Sequence, residues 1–508
     1  MQDFTPNIFD HIHHWGVSQP QSTAVIDEDG RHTWNKLLLR ADGYRRFLDK
    51  KGASAKVGLL VGRSFETVAA MTGILLSGRT ISPLIATIAD SRLESCLRAL
   101  ETNTLLVIGT NQRPRLTEEF FNVQMHLVED VESSHEMPMN YPEYDPGRLF
   151  YILFTSGSTG QPKGVMVDFG NLANTMLWSQ LTFDWRSNDI MGNVCNFSFD
   201  IAQFDYLTLL YSGVPLALLS RPGDAHFSIS QLKSFLVTSI FSVPAFFSRV
   251  TECNLLGKLQ GLPLRRIISG GDFFPTSHLL AWQEQASQVD VYNVWGPTET
   301  SIVNTAYRIT SVDRAKLDSG KYLPVGRLTT IMPFVVLDEK GEPIIQPDTI
   351  GEICMLGQCV SRGYVNPTPE QAELFFWHND QRAFRTQDLG YCDNHGFLYI
   401  VGRKGSTVKV RGFRVDLAEI ERTSETLTNI NIASAFVREI SPTVKEIWLA
   451  VELIRGGDFD IFDFKNCLRR ILPSYMIPKR VFVIEKFPRN ENGKINRIEI
   501  SASIGNGA

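Results

Sequence analysis

The sequence predicts an α/β protein built from a large N-terminal part of helix-covered sheets, a β-rich subdomain, and a small mobile α+β domain at the C-terminal end. Three observations carry this. The chain has 508 residues, more than one ordinary core holds. Short apolar strands alternate with helical runs through the first hundred residues and on to about residue 219, the pattern of parallel sheets covered by helices. From about Leu323 the texture changes to short segments broken by Gly and Asp.

Taken in order, LLVGRSFETVAAMTGILLSG (59–78) reads as a strand, a turn and a helix. Further strands are expected at LLVIG (105–109), LFYILF (149–154) and VPLALL (214–219). PFVVLDEKGEPI, GEICMLG and GFLYIVGR supply the β-rich part. After GRKG (402–405) come about a hundred residues with strands at IWLAVEL and RVFVIE and a helix at DFKNCLRRIL. The expected division is residues 1–402 as the large part, 403–405 as the junction and 406–508 as the small domain.

Composition narrows the function classes. Hydrophobic residues make up 43% and charged residues 21%, and the net charge is -5. There is no long basic block, so nucleic acid is not expected as a partner. No run approaches the ~20 apolar residues of a membrane span. The N-terminal MQDFTPNIFDHIHHW has no apolar signal region. The seven cysteines are scattered without metal or redox spacing, which suggests free thiols and a cytoplasmic protein.

The most informative stretch is FTSGSTGQPKG (154–164), which follows an apolar strand. It is not the loop of nucleotide hydrolases, which needs Gly-Lys-Ser/Thr opening a helix. Here Lys163 follows Pro162 and GVMV continues as a strand. Backbone N–H groups and hydroxyls of such a loop can donate to phosphate oxygens, and Lys163 adds a point charge. Composition alone fits a plain polar linker equally well.

The order of the residues resembles the adenylate-forming superfamily of acyl- and aryl-CoA ligases, luciferases and peptide-synthetase adenylation domains. Its phosphate loop is matched from Thr155 to Gly164. NVWGPTET (293–300), FRTQDLG (384–390), GRKGSTVKVRGFRVDLAEIE (402–421), LPSYMIPK (472–479) and NENGKINR (490–497) then follow in the family's order. Gln387 stands where the family usually has glycine. The resemblance implies ATP binding by Thr155, Ser156, Gly157, Ser158, Thr159, Gly160, Lys163, Gly271, Asn293, Val294, Trp295, Gly296, Pro297, Thr298, Asp388, Arg403 and Lys494. Trp295 would stack on adenine, Asp388 would hold the ribose hydroxyls, and Glu299 would bind Mg2+. Lys494 would be catalytic, placing an ammonium between the attacking carboxylate and the α-phosphate. Gly405 would be the pivot between the two half-reactions.

NFSFDIAQFD (196–205) bears on the acid. The resemblance places Asp200 against a substrate ammonium, as in adenylation domains for α-amino acids. It carries over a lining of Ile201, Phe204, Ser239, Ile268, Gly270, Val294, Ile302 and Val303. That lining is apolar with one hydroxyl, so a neutral, mostly apolar amino acid is expected. Phe204 would narrow the pocket, while Gly270 and Ser239 would open it. D-alanine–carrier ligases usually have cysteine at Gly270, and alanine of either hand, proline and valine all stay open. Asp205 reads as a helix-surface or structural residue. The chain runs 14 residues past Lys494, so the expected acceptor is a phosphopantetheinylated carrier protein in trans. A CoA ligase, or a nucleotide-binding module without turnover, are the alternatives.

Overall fold

The computed structural model describes residues 4–86, 90–108, 124–127, 131–138, 140–156, 162–272, 274–313, 323–404, 407–410, 413–427, 429–441, 444–454, 459–472, 476–489 and 495–505. Two large sheets share one core. The first has eight strands in the order Thr305–Ile309, Asp290–Trp295, Arg266–Ser269, Ser239–Ser242, Met191–Asn193, Leu216–Leu218, Thr23–Asp27, Gly30–Thr33. Its six inner strands are parallel and each edge strand is antiparallel. The second has seven, with Leu149–Ser156 and Pro162–Asp168 forming an antiparallel pair beside Thr80–Ile85.

The helix Phe65–Leu76 shows why the sheets cohere. All of its residues except Glu66 are buried, as expected of a helix that is apolar all round. It packs on the helix Trp34–Lys50, and Gly73 sets the approach. A Cβ there would stand 2.4 Å from the Tyr44 Cβ and 2.5 Å from the Ala41 carbonyl oxygen. The helices Phe169–Phe183 and Asp200–Ser212 complete the same core. Asp168 and Asn171 close a capping box at the start of the former.

The β-rich part is a six-stranded sheet of Gly326–Arg327, Phe397–Arg403, Gln381–Cys392, Gly351–Leu356 and Phe334–Leu337, with Phe375–His378 also pairing on Gln381–Cys392. Beyond it, Ile430–Ser441, Val444–Leu453 and Arg480–Ile484 form a separate sheet. Two apolar clusters there draw only on residues between 415 and 504. Among the described residues, no helix is long and apolar enough to cross a membrane.

Candidate functional site

The six parallel strands point their carboxyl ends to one edge, where open α/β sheets bind ligands. The register fixes what stands there. Ser242 pairs with Ser269 and Ser269 with Asn293, while Ser239 pairs with Arg266 at the opposite end. Three residues at about 3.3 Å each put Ser239 roughly 10 Å below Ser242. The Ser239 hydroxyl accepts from Arg266 Nη1 at 3.2 Å, next to the buried Asp189 that pairs with Arg265. Ser239 therefore does not join the site. Ser242 does: its carbonyl accepts from Gly270 N at 3.3 Å and its hydroxyl lies 3.7 Å from the Cys195 sulfur.

The residues expected to form the apolar lining are all buried. Ile201, Phe204, Ile268, Val294, Ile302 and Val303 belong to one buried cluster. Phe204 is fully buried, edge-on to Phe241 at 5.2 Å. Gly270 does not open the space as expected. A Cβ there would meet Val294 Cγ2 at 2.7 Å and the Val294 carbonyl oxygen at 3.0 Å, so Val294 already fills the room. Gly271, at φ +84, faces Val243 and Ile201.

Asp200 opens the helix Asp200–Ser212 at the rim of this cluster and is half-buried. Its Oδ1 accepts from Ile201 N at 2.8 Å, and its Oδ2 accepts from the Thr298 hydroxyl. Below it, burial first and the Asp200 charge second push the Tyr151 phenol well above its usual range. Thr298 thus meets Asp200, although the resemblance implies only a nucleotide role for it.

The turn 296–304 is tightly built. A Cβ on Gly296 would lie 2.5 Å from Val303 Cα and 2.7 Å from the Ile302 carbonyl oxygen. Pro297 accepts both the amide and the hydroxyl of Thr300, and Asn304 Nδ2 donates to the Thr300 carbonyl at 2.7 Å. Ser301 and Ile302 sit at φ +68 and +85, a rare state for a β-branched residue that the packed turn enforces. Asn293 donates to the Pro324 carbonyl at 2.9 Å.

Around the nucleotide residues, Trp295 Nε1 donates to Asp388 Oδ2 at 2.9 Å, and Arg403 Nε lies 3.8 Å from Asp388 Oδ1. Gln387 adopts φ +62 and its carbonyl accepts from Lys404 N. That left-handed angle explains why glycine is usual there. Glu299 Oε1 accepts from the Tyr364 hydroxyl at 2.5 Å, and Lys163 Nζ lies 5.6 Å from the Tyr364 ring centroid. Burial, then the Glu299 charge, raise the Tyr364 phenol. Tyr364 was not foreseen; it arrives through the pairing of Gly363–Tyr364 with Pro162–Asp168, which leaves no local signal. Thr155 and Lys163 face each other across the hairpin. Ser156 ends its strand, while Gly157, Ser158, Thr159, Gly160, Gly405 and Lys494 lie outside the described residues.

Comparisons with known proteins point to one family. The pattern of the AMP-binding enzyme family matches residues 12–365. Bacitracin synthase 1 of Bacillus licheniformis is 28% identical over 492 residues, covering 95% of this chain but 9% of its own length. Zwittermicin A synthase ZmaJ of Bacillus cereus is 27% identical over 95% of this chain and 92% of its own. The chain spans under a fifth of the first multidomain synthases it matches. The structure of the Bacillus subtilis o-succinylbenzoate coenzyme A synthetase MenE, in complex with ATP and a magnesium ion, superposes with TM-score 0.81. It is 21% identical and covers 97% of this chain and 99% of that one. The matched pattern, the strand-end cluster and the order of the motifs together place the chain in the AMP-binding enzyme family, as an adenylate-forming enzyme of the α/β fold shared by that superfamily.

Proposed function

We propose that the chain activates a neutral, mostly apolar amino acid as its aminoacyl adenylate and passes it to the phosphopantetheine thiol of a carrier protein. One observation carries the reading: Asp200 is the carboxylate set at the rim of an otherwise apolar cluster. An ammonium about 4 Å away gains roughly 4 kcal/mol at a near-surface dielectric, before desolvation. An apolar acid brings no ammonium to meet that carboxylate.

In the first step a substrate carboxylate oxygen bonds to the α-phosphorus of ATP. The bond to the bridging oxygen breaks and pyrophosphate leaves. In the second, the thiol sulfur bonds to the acyl carbon, its proton is lost, and AMP departs. Asp200, held by Thr298, orients the amino group. Trp295 and Asp388 face the nucleoside, and the loop from Thr155 to Lys163 takes the phosphates. Lys494 offsets the charge of the first step, and residues 403–405 form the hinge to a lid of residues 406–508.

Glu299, held by the Tyr364 hydroxyl, would supply a hard oxygen donor to Mg2+. The ion would offset phosphate charge when bound.

Pyrophosphate exchange with a panel of acids tests the reading. Exchange with neutral amino acids and none with aryl or fatty acids is expected. Exchange with aryl or fatty acids alone would make the chain a CoA ligase instead.

A further inference from the structure

The helix that begins at Asp200 carries a second carboxyl group that the scheme above does not use. Asp205 is fully buried, not a surface residue. Its Oδ2 accepts from Asn193 Nδ2 at 2.9 Å. Its Oδ1 has no partner, and neither does Oδ1 of Asn193, which is also fully buried. Two stranded acceptors thus belong to one side-chain pair.

Written as a carboxylate, this pair leaves two buried oxygens unsatisfied, each a substantial penalty. A single proton removes both faults. Placed on Asp205 Oδ1, it donates to Asn193 Oδ1 and closes an eight-membered ring with the bond already present.

The titratable groups acting on Asp205 from the surrounding elements are Arg63 and Cys195. Arg63 follows the strand Lys56–Val61 and directs Nη1 at the carbonyls of Cys195 and Leu219, both at 3.4 Å. It reaches Asp205 only through space. The Cys195 thiol is pushed up to about 12 by burial and then by Asp205, so it adds no charge. Burial is the largest influence on Asp205 and favours its neutral form, ahead of the opposing Asn193 bond and Arg63.

We propose that Asp205 is a neutral carboxylic acid paired cyclically with Asn193, and that this pair is a positioning device for the substrate pocket. It fastens the helix Asp200–Ser212 to the strand Met191–Asn193 one turn beyond Ile201 and next to Phe204. The rotation of the helix, and with it the aim of Asp200 and Ile201, is set there. The protonation state stands on the pair alone; the positioning role rests on the amino-acid reading of the pocket.

The sign of the pH effect follows. An unfolded aspartate ionises near pH 3.9. The folded group keeps its proton higher, so its contribution to stability is full below about pH 3.9 and is lost as pH rises toward the folded value. Asp205→Asn keeps the ring, with amide donating to amide, and has no proton to lose. The ratio of folding constants, wild type over Asp205→Asn, should fall as pH rises above about 4. Infrared difference spectra of the whole protein should show the C=O stretch of a protonated carboxyl group that vanishes in Asp205→Asn. Burial also pushes Glu425 up to about 8, so it adds its own band. Parallel stability curves, a band unchanged in Asp205→Asn, or no such band at all in the wild type would overturn the neutral acid.

For positioning, Asp205→Ala should raise KM for the amino acid at least fivefold with KM for ATP within twofold, and Asp205→Asn should restore it. Equal damage in both variants would overturn the role. A wild type that activates no amino acid would defeat the proposed function, while the spectroscopic result would still stand.

Discussion

The indole Nε1 of Trp295 donates to Oδ2 of Asp388 across 93 residues of sequence. The residues proposed to face adenine and ribose are therefore mechanically one unit. Trp295→Phe keeps a flat apolar face but drops the donor. A bond to a charged acceptor in a half-buried site is worth about 1–2 kcal/mol, so KM for ATP should rise about tenfold. Steady-state kinetics at saturating amino acid checks this, and an unchanged KM would separate the two residues functionally.

Asp200 and Thr298 form a second such unit. Asp200→Ala should lower amino-acid-dependent pyrophosphate exchange by at least ~10², the scale of one lost ion pair in a shielded site. Thr298→Val removes only the hydroxyl that fixes the carboxylate, and KM for the amino acid should rise about threefold to tenfold. Nucleotide affinity, read by fluorescence titration, should hold in Asp200→Ala.

Ser239 and Ser242 stand at opposite ends of one strand. Ser242→Ala should change the ranking of amino acids in exchange assays, because its hydroxyl faces the carboxyl edge. Ser239→Ala should leave the ranking intact and reduce stability by about 1 kcal/mol through the bond lost from Arg266. A changed ranking for Ser239→Ala alone would reverse the assignment.

Gln387 holds a left-handed backbone without being glycine. That costs roughly 1–2 kcal/mol, against 0.5–1 kcal/mol of extra chain entropy for glycine. Gln387→Gly should thus stabilise by up to about 1 kcal/mol in thermal unfolding. Gln387→Val should destabilise and raise KM for ATP as well, since Asp388 follows directly in the chain.

The sequence by itself determined the family and the order of the motifs. Those features live in short windows, where residue type and spacing are enough: a Gly/Ser/Thr loop after an apolar strand, or Asp200 at a helix start. The tertiary structure decided the rest. Ser239 and Ser242 are both polar ends of SIFS, and only pairing with Arg266–Ser269 shows which end meets the ligand edge. Gly270 suggested space until Val294, from the next strand, was seen to fill it. Asp205 looked like an ordinary helical acid until packing against Asn193 removed its solvent. Tyr364 reached Glu299 through strand pairing. In each case the deciding neighbour is distant in sequence, and the energy that sets it, burial or a filled volume, exists only once the chain has folded.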